Sequence, residues 1–307
     1  MNKITFVAST SGRIDKVLVA YFATTATIFS RTKIQELITQ NQVQVNDQFV
    51  HQNYLVQVNN DTITVTLPSP STTNPTPMAM PLTVLYEDDV LLVIDKPNNL
   101  VVHPAPGHLN DTLVNALIAR SEDWSTVSGE LRPGIVHRID RQTTGTLIIA
   151  KNDFIHHQLQ EQIQTKQLQR RYLALVHGNI VETRAKIDAP IGRDPQDRKK
   201  MVVTAKNSKK AVTNILVIER FNDYTYIECE LETGRTHQIR AHLKYINHPV
   251  VGDPLYGTVA DKKESFGQYL HAYQLTFMHP ITNLPITVSA ALPLEFENKL
   301  AALRTKG

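Results

Sequence analysis

The stretch from Pro68 to Pro81, PSPSTTNPTPMAMP, limits what this chain can fold into more than any other feature. Its five prolines lack backbone N–H donors and hold φ near −65°, so no helix or inner strand can run through it. It reads as a linker over 68–81, dividing the 307 residues into a front module over 1–67 and a larger domain over 82–307. The larger part has ample length to bury a core of its own.

Composition rules out several classes. Hydrophobic residues make up 41% and charged residues 20%, an ordinary globular balance. The formal net charge of +3 is too mild to argue nucleic-acid binding by itself, so such a claim must rest on clustering. Cys229 is the single cysteine, which excludes an intrachain disulfide and a cysteine-rich metal site. Met1 to Thr10 lacks the apolar core of a signal peptide, and no apolar run is long enough to span a bilayer. The reading is a cytoplasmic protein with no membrane partner.

In the front module, Ile14, Val17, Leu18 and Tyr21 fall at helical spacing. A second helix follows, with Ser30 as N-cap and Ile34, Leu37 and Ile38 on its buried face. Short strands fit Val43–Val45 and Thr62–Val65, with Asn46-Asp47 as a turn. Arg13, Lys16, Arg31 and Lys33 form a small basic set suited to phosphate contacts.

Beyond the linker, strands are expected at Leu82–Tyr86, Val90–Ile94, Ile135–Ile139, Thr146–Lys151, Arg171–His177, Ala211–Glu219 and Tyr224–Leu231. Helices are expected around Leu113–Leu117, Ile155–Ile163 and His237–Ile246. Strands outnumber helices without strict alternation, so the class is α+β.

Three runs carry chemistry. In HRIDRQTTG (His137 to Gly145), Asp140 stands where a strand gives way to a polar loop, bracketed by Arg138 and Arg141. Nearby guanidinium keeps a carboxylate ionised, as a base or nucleophile requires. The same pattern equally describes a structural salt bridge. In TGRTHQIRAHL (Thr233 to Leu243), Gly234 permits a turn and the chain enters a helix carrying basic residues, which a solvated basic helix would also do. His237 and His242 are five apart and lack the i, i+4 spacing of a helical metal pair, so no metal is expected. In RRYLALV (Arg170 to Val176), alternation puts Tyr172 and Ala174 on one face and Arg171, Leu173 and Leu175 on the other. A tyrosine there can stack on a base, or simply fill a core.

These runs, followed by GDPLYG and LHAYQLTFMHP, resemble in order the RluA/RluD family of pseudouridine synthases over roughly residues 82–293. The front module, in RIDKVLV, SRTKIQELI and VQVND, resembles the S-four-type RNA-binding domain. The resemblance implies an α+β catalytic domain with a mixed, mainly antiparallel sheet flanked by helices, preceded by a small α/β RNA-binding domain. It implies isomerisation of specific uridines in RNA, with large-subunit (23S) ribosomal RNA as the favoured substrate. Asp140 matches the catalytic aspartate and Tyr172 the active-site tyrosine. Arg235 matches the arginine expected to pair with that aspartate, and Arg138 the one that helps hold the nucleotide out of its stack. His137, Arg141, Thr144, Gly145, His237, Gln238 and Arg240 are expected on the RNA-contacting side. Two departures stand out: Ile139 replaces the usual leucine, and Gln142 stands where the family often has aspartate. The reaction involves no net oxidation or hydrolysis, so no cofactor is expected, and nothing in the chain demands more than a monomer. A catalytically silent RNA-binding factor and a metal-dependent hydrolase are the competing readings. The first is opposed by the filled catalytic positions, the second by the histidine spacing.

Overall fold

The computed structural model describes residues 2–23, 29, 31–67, 75–105, 107–121, 123–127 and 133–305. The side chains of residues 2, 32 and 33 also lie outside the description, as do Ser30 and the linker residues 68–74. Contacts divide the chain into two compact units, Met1–Asn74 and Pro75–Gly307.

In the first unit, helices Ile14–Ala23 and Arg31–Thr39 pack with a four-stranded antiparallel sheet ordered Asn2–Val7, Thr62–Leu67, Val43–Val45, Gln48–Phe49. The expected apolar stripe is the core here: Ile14, Val17, Leu18, Ile34, Leu37 and Ile38 are buried against Val43, Val45, Ile63 and Val65. Asn46 and Asp47 both take positive φ (49° and 65°), making the tight hairpin turn for which such residues are suited. Strand Asn2–Val7 was not anticipated; it is an edge strand paired only with Thr62–Leu67.

The second unit is built on a nine-stranded sheet. Its order is Arg184–Asp188, Val212–Arg220, Tyr224–Leu231, Gln169–His177, Leu270–Met278, Thr144–Ala150, Leu91–Lys96, Thr83–Glu87, with Pro285–Ser289 also paired to Leu270–Met278. Every pairing is antiparallel except the short parallel contact of His271-Ala272 with Thr144-Gly145, so the sheet is mixed and mainly antiparallel. Period-two alternation supplies two apolar faces. Leu92, Ile94, Leu147 and Ile149 bury against helix Leu113–Arg120, while Leu91, Val93, Ile148 and Ala150 bury against helix Asp153–Gln164. That second helix starts where the Asn152 side chain accepts a bond from the Ile155 N–H. In the other half of the sheet, Tyr172, Ala174 and Val176 pack under helix Gln238–Tyr245 through Ile239 and Leu243. The opposite face is closed by Phe296 and Leu300 of helix Leu294–Arg304.

One expected strand is absent. Residues 135–139 form only an isolated bridge, Ile135 with Ile149. Strand Thr144–Ala150 pairs with Leu91–Lys96 along one edge and, through Thr144-Gly145 alone, with Leu270–Met278 on the other. The segment meets the rest of that second edge only at the Ile135 bridge and the bond from the Ala150 N–H to the Gly134 carbonyl. Ile135 and Ile139 are buried instead as anchors of a loop.

Candidate active site

The loop bearing Asp140 is fixed from below. Ile139 inserts among Tyr172, Leu270 and Ala272, leaving the next residue at the rim of a cleft of about 470 Å³. Lys96, fully buried at the end of its strand, donates to the carbonyls of Pro97, Leu100 and Arg141 at 2.8, 3.0 and 3.0 Å. Three carbonyls match the three donors of an ammonium group. Burial pushes Lys96 down to about 7, while Asp140 and Asp95 pull the other way. The Thr143 N–H donates to the Asp140 carbonyl at 3.1 Å and closes the turn before the strand begins.

Asp140 is paired by Arg240. The Arg240 Nη1 donates to Asp140 Oδ2 at 2.8 Å, and its Nε and Nη2 donate to Asp253 at 2.6 and 2.8 Å. Burial alone would raise the Asp140 carboxyl, but the charges of Arg240, His237 and Arg138 and the Arg240 hydrogen bond hold it below the usual carboxylate range. Arg240 is pushed up in turn: burial opposes its charge, and the two carboxylates more than compensate. Asp253 also accepts the N–H groups of Leu255 and Tyr256, so its orientation is set by backbone.

This arrangement corrects the expected pairing of Asp140 with Arg235. Arg235 lies in the loop before the helix, where its Nε donates to the Lys210 carbonyl at 3.0 Å. The Gln238 side chain, buried, fixes this loop by accepting from the Arg235 N–H and from Thr233 while donating to the Val212 carbonyl. Gln238 is thus a brace, with its donors and acceptor already engaged within the protein. His237 takes the left-handed conformation (φ 53°) at the helix start. That backbone turn sets Gln238 as the first helical residue and brings Arg240 to Asp140.

The cleft wall is aromatic and basic. Tyr172 is buried, and burial raises its hydroxyl above the ordinary phenol value. His237 lines the cleft with Nε2 3.9 Å from Asp140 Oδ1 and Nδ1 2.9 Å from the Tyr256 hydroxyl. That hydroxyl also accepts the Met201 N–H at 2.7 Å, so the His237 ring is tied to the strand Met201–Val203 through Tyr256. Arg138 is exposed at the cleft edge, and Arg141 is exposed with its Nε on the Asn99 carbonyl at 3.3 Å. His137 lines the cleft; burial, and secondly Arg170, push it down to about 3, so it is neutral.

Two expected contact residues are withdrawn from the cleft. Thr144 is buried and hydrogen-bonds His271 Nδ1 at 2.8 Å, and Gly145 lies in the parallel junction. A Cβ on Gly145 would meet the Ala272 carbonyl oxygen at 2.2 Å, and its φ of +107° favours glycine besides. Both residues serve strand packing.

Sequence reading missed Lys96 and Asp253. Lys96 follows Leu92 and Ile94 at period two, so alternation alone turns it inward; a lysine continuing an apolar face is the signal. Asp253 sits in GDPLYG, but nothing local says that its partner is an arginine 13 residues earlier.

In the first unit, Asp15 is fully buried and receives Arg13 (3.1 Å), Arg31 (2.8 Å) and Gln35 (3.2 Å). Burial would raise its carboxyl, yet these bonds hold it at about 2. Arg13 and Arg31, expected as phosphate contacts, direct guanidinium donors at Asp15 while remaining partly exposed. Lys16 is exposed on helix Ile14–Ala23; the Lys33 side chain lies outside the described residues.

Among the described residues, no helix is long and apolar enough to cross a membrane. The sequence matches the family described as RNA pseudouridylate synthase over residues 90–245. It is 48% identical to the uncharacterized RNA pseudouridine synthase YlyB of Bacillus subtilis, with all of both chains covered. It is 40% identical to the ribosomal large subunit pseudouridine synthase D of Neisseria meningitidis serogroup B, over 95% of this chain and 79% of that one. Among solved structures, human RNA pseudouridylate synthase domain containing 4 aligns with a TM-score of 0.58 and 26% identity, over 72% of this chain and 93% of that one. Human RNA pseudouridylate synthase domain containing 1 shares the fold, with a TM-score of 0.56 at 23% identity, over 77% of this chain and 98% of that one.

Proposed function

The chain belongs to the RNA pseudouridylate synthase family, and from that premise we propose that it isomerises uridines of large-subunit ribosomal RNA, with Asp140 as the acting carboxylate. As an RNA pseudouridine synthase it is an isomerase: the bond from ribose C1′ to uracil N1 breaks, the base turns, and C1′ bonds to C5. The C5 proton leaves and N1 gains one, so atoms balance without hydrolysis.

The observation that carries the role of Asp140 is its 2.8 Å ion pair with Arg240 at the rim of the cleft. An ionised carboxylate is what either route needs, attack on the sugar or removal of a ribose proton. The base must leave its stack, which costs a few kcal/mol. Tyr172 offsets part of this by stacking on the uracil, and it stands ready to assist deprotonation at C5. Arg138 and Arg141, exposed beside the cleft, contact the RNA backbone. The substrate assignment rests on the ribosomal large subunit relatives.

The test is carbodiimide labelling of pseudouridine in 23S transcripts. Wild type is expected to give new labelled positions and Asp140→Asn to lose them by on the order of 10³-fold or more, with an unchanged melting temperature. Equal labelling by both enzymes would remove Asp140 from the chemistry. Pseudouridine mapping of ribosomal RNA in a deletion strain identifies the uridine; an unaltered 23S map would transfer the substrate to another RNA.

The front unit, in this reading, holds RNA through Lys16, Lys33 and the exposed edges of Arg13 and Arg31. Removing residues 1–74 is expected to weaken RNA binding while leaving the second unit folded, as read by filter binding and circular dichroism. The enzyme acts in the cytoplasm as a monomer; sedimentation at working concentration checks the latter.

A further inference from the structure

Three cations are buried among the described residues: Lys96, Arg170 and Arg240. Lys96 has three carbonyls and Arg240 has two carboxylates. Arg170, only 5% exposed, forms no side-chain hydrogen bond or ion pair with any described residue, and its Nε is buried without a partner. Arginine stays protonated in proteins, so this is a buried charge left unneutralised. Such an arrangement is costly unless something arrives to complete it.

The side chain faces the cleft. Arg170 lies two residues before Tyr172 on strand Gln169–His177, and period-two alternation turns both to the same face, where both line the cleft wall. The two carboxylates lining the cleft are already engaged: Asp140 by Arg240 at 2.8 Å, and Glu232 by Lys166 at 2.6 Å and Lys186 at 2.8 Å. Burial disfavours the ionised Arg170 most; Tyr172 beside it favours the charge, and Arg235 opposes it. The space for its guanidinium is also specific. A Cβ on Gly234 would lie 2.5 Å from Arg170 Nη1, and the Gly234 φ lies outside the left-handed range. The glycine of the TGR run is therefore there for room, and the room is filled by Arg170.

We propose that Arg170 seats a phosphodiester of the RNA beside the extruded uridine, while the base rests on Tyr172. This rests on the reading of the cleft as the site of an everted nucleotide. Guanidinium offers two parallel N–H donors to the two free oxygens of a phosphodiester, the pairing for which arginine is better shaped than lysine. Same-face neighbours on a strand are roughly 7 Å apart, comparable to the span from a nucleobase to its own phosphate. The anion neutralises Arg170 only when the nucleotide is in place, so the buried charge contributes to holding the flipped state.

The test compares wild type, Arg170→Gln and Arg170→Lys on an in vitro transcribed 23S fragment, reading pseudouridine formation and RNA affinity from 50 to 300 mM KCl. Arg170→Gln is expected to lower kcat/KM by roughly 10–100-fold and to reduce the log–log salt slope of binding by about 0.7, one single-strand phosphate. Arg170→Lys is expected to restore the slope and only part of the rate. An unchanged slope in folded Arg170→Gln overturns the proposal, including when the rate falls, since that result would assign Arg170 to the base or ribose. If Arg170→Gln does not fold, wild type with a neutral methylphosphonate at each linkage flanking the modified uridine gives the same readout. No loss of slope at any of them overturns the proposal. Failure of the functional reading is seen separately, as wild type converting no uridine in the transcript.

Discussion

Asp15 in the first unit and Asp140 in the second are each an aspartate between arginines in the sequence: Arg13 and Arg31 for one, Arg138 and Arg141 for the other. Around Asp15, both guanidinium groups turn toward the carboxylate, and Gln35 joins them. Around Asp140, neither flanking arginine is the partner. The bond comes from Arg240, 100 residues later, which Asp253 shares. The Asp15 cluster is closed, since its carboxylate and its arginines serve each other. The Asp140 cluster is open: Arg138 stands exposed, Arg235 reaches a backbone carbonyl, and Arg170 has no partner among the described residues. A closed cluster stabilises a fold, and an open one keeps charge in reserve for a polyanion.

The largest effect expected from this contrast is at Arg240. Removing it in Arg240→Ala leaves the buried Asp253 and the partly buried Asp140 without the cation they share, a loss of roughly 3–5 kcal/mol in denaturant unfolding. Pseudouridine formation is expected to fall on the order of 10³-fold. Arg235→Ala is expected to change stability by no more than about 0.5 kcal/mol, since its side chain bonds one carbonyl at the surface. Equal losses from the two variants would erase the distinction drawn between them. Asp253→Asn comes next: it keeps volume but lets Arg240 shift, for about a 100-fold loss in kcat with KM little changed. A fall carried by KM instead would make Asp253 a binding residue.

Arg240 also marks the limit of what the sequence makes legible. TGRTHQIRAHL contains two arginines, and the one that reaches Asp140 is fixed by where the helix starts. That start is His237 at positive φ, with no Ser, Thr or Asp cap to announce it. Tyr172 and strand Tyr224–Leu231 were legible because alternation over a long apolar run leaves little freedom. Residues 135–139 carry the same apolar signal and are not a strand: one bridge, Ile135 with Ile149, joins them to the sheet, and Ile135 and Ile139 are buried as anchors of a loop. Arg184–Asp188 went unread for the opposite reason: it is a sheet edge with only Ile187 buried. Arg170 was within reach, since the alternation that selects Tyr172 selects it too.

In the closed cluster the effects are smaller and structural. Asp15→Ala removes the acceptor for three side chains and is expected to destabilise the first unit by roughly 2 kcal/mol, read by its thermal unfolding. The pH dependence has a definite sign. The folded carboxyl at about 2 lies below its ordinary value of 3.8, so its contribution is complete above that value and is lost as pH falls from about 4 toward 2. Wild type and Asp15→Ala should therefore converge in stability over that acid window and stay parallel above it. A gap between them that persists unchanged to pH 2 would show that Asp15 acts through packing rather than charge.

The smallest effect falls on Lys16, and it separates the two kinds of cluster most cleanly. Lys16 is exposed on the same helix as Asp15 but takes no part in the closed cluster. Its charge is free for RNA, while Arg13 and Arg31 are partly committed. Lys16→Gln is expected to leave unfolding within about 0.5 kcal/mol of wild type and to reduce the log–log salt slope of RNA binding by about 0.9, one duplex phosphate. Arg13→Gln should do the reverse: a measurable loss of stability with less change in slope, because its guanidinium is already directed at Asp15. If Arg13→Gln lowers the slope as much as Lys16→Gln and leaves stability unchanged, then the Asp15 cluster opens on RNA. The contrast between closed and open charge would then belong to the free protein alone.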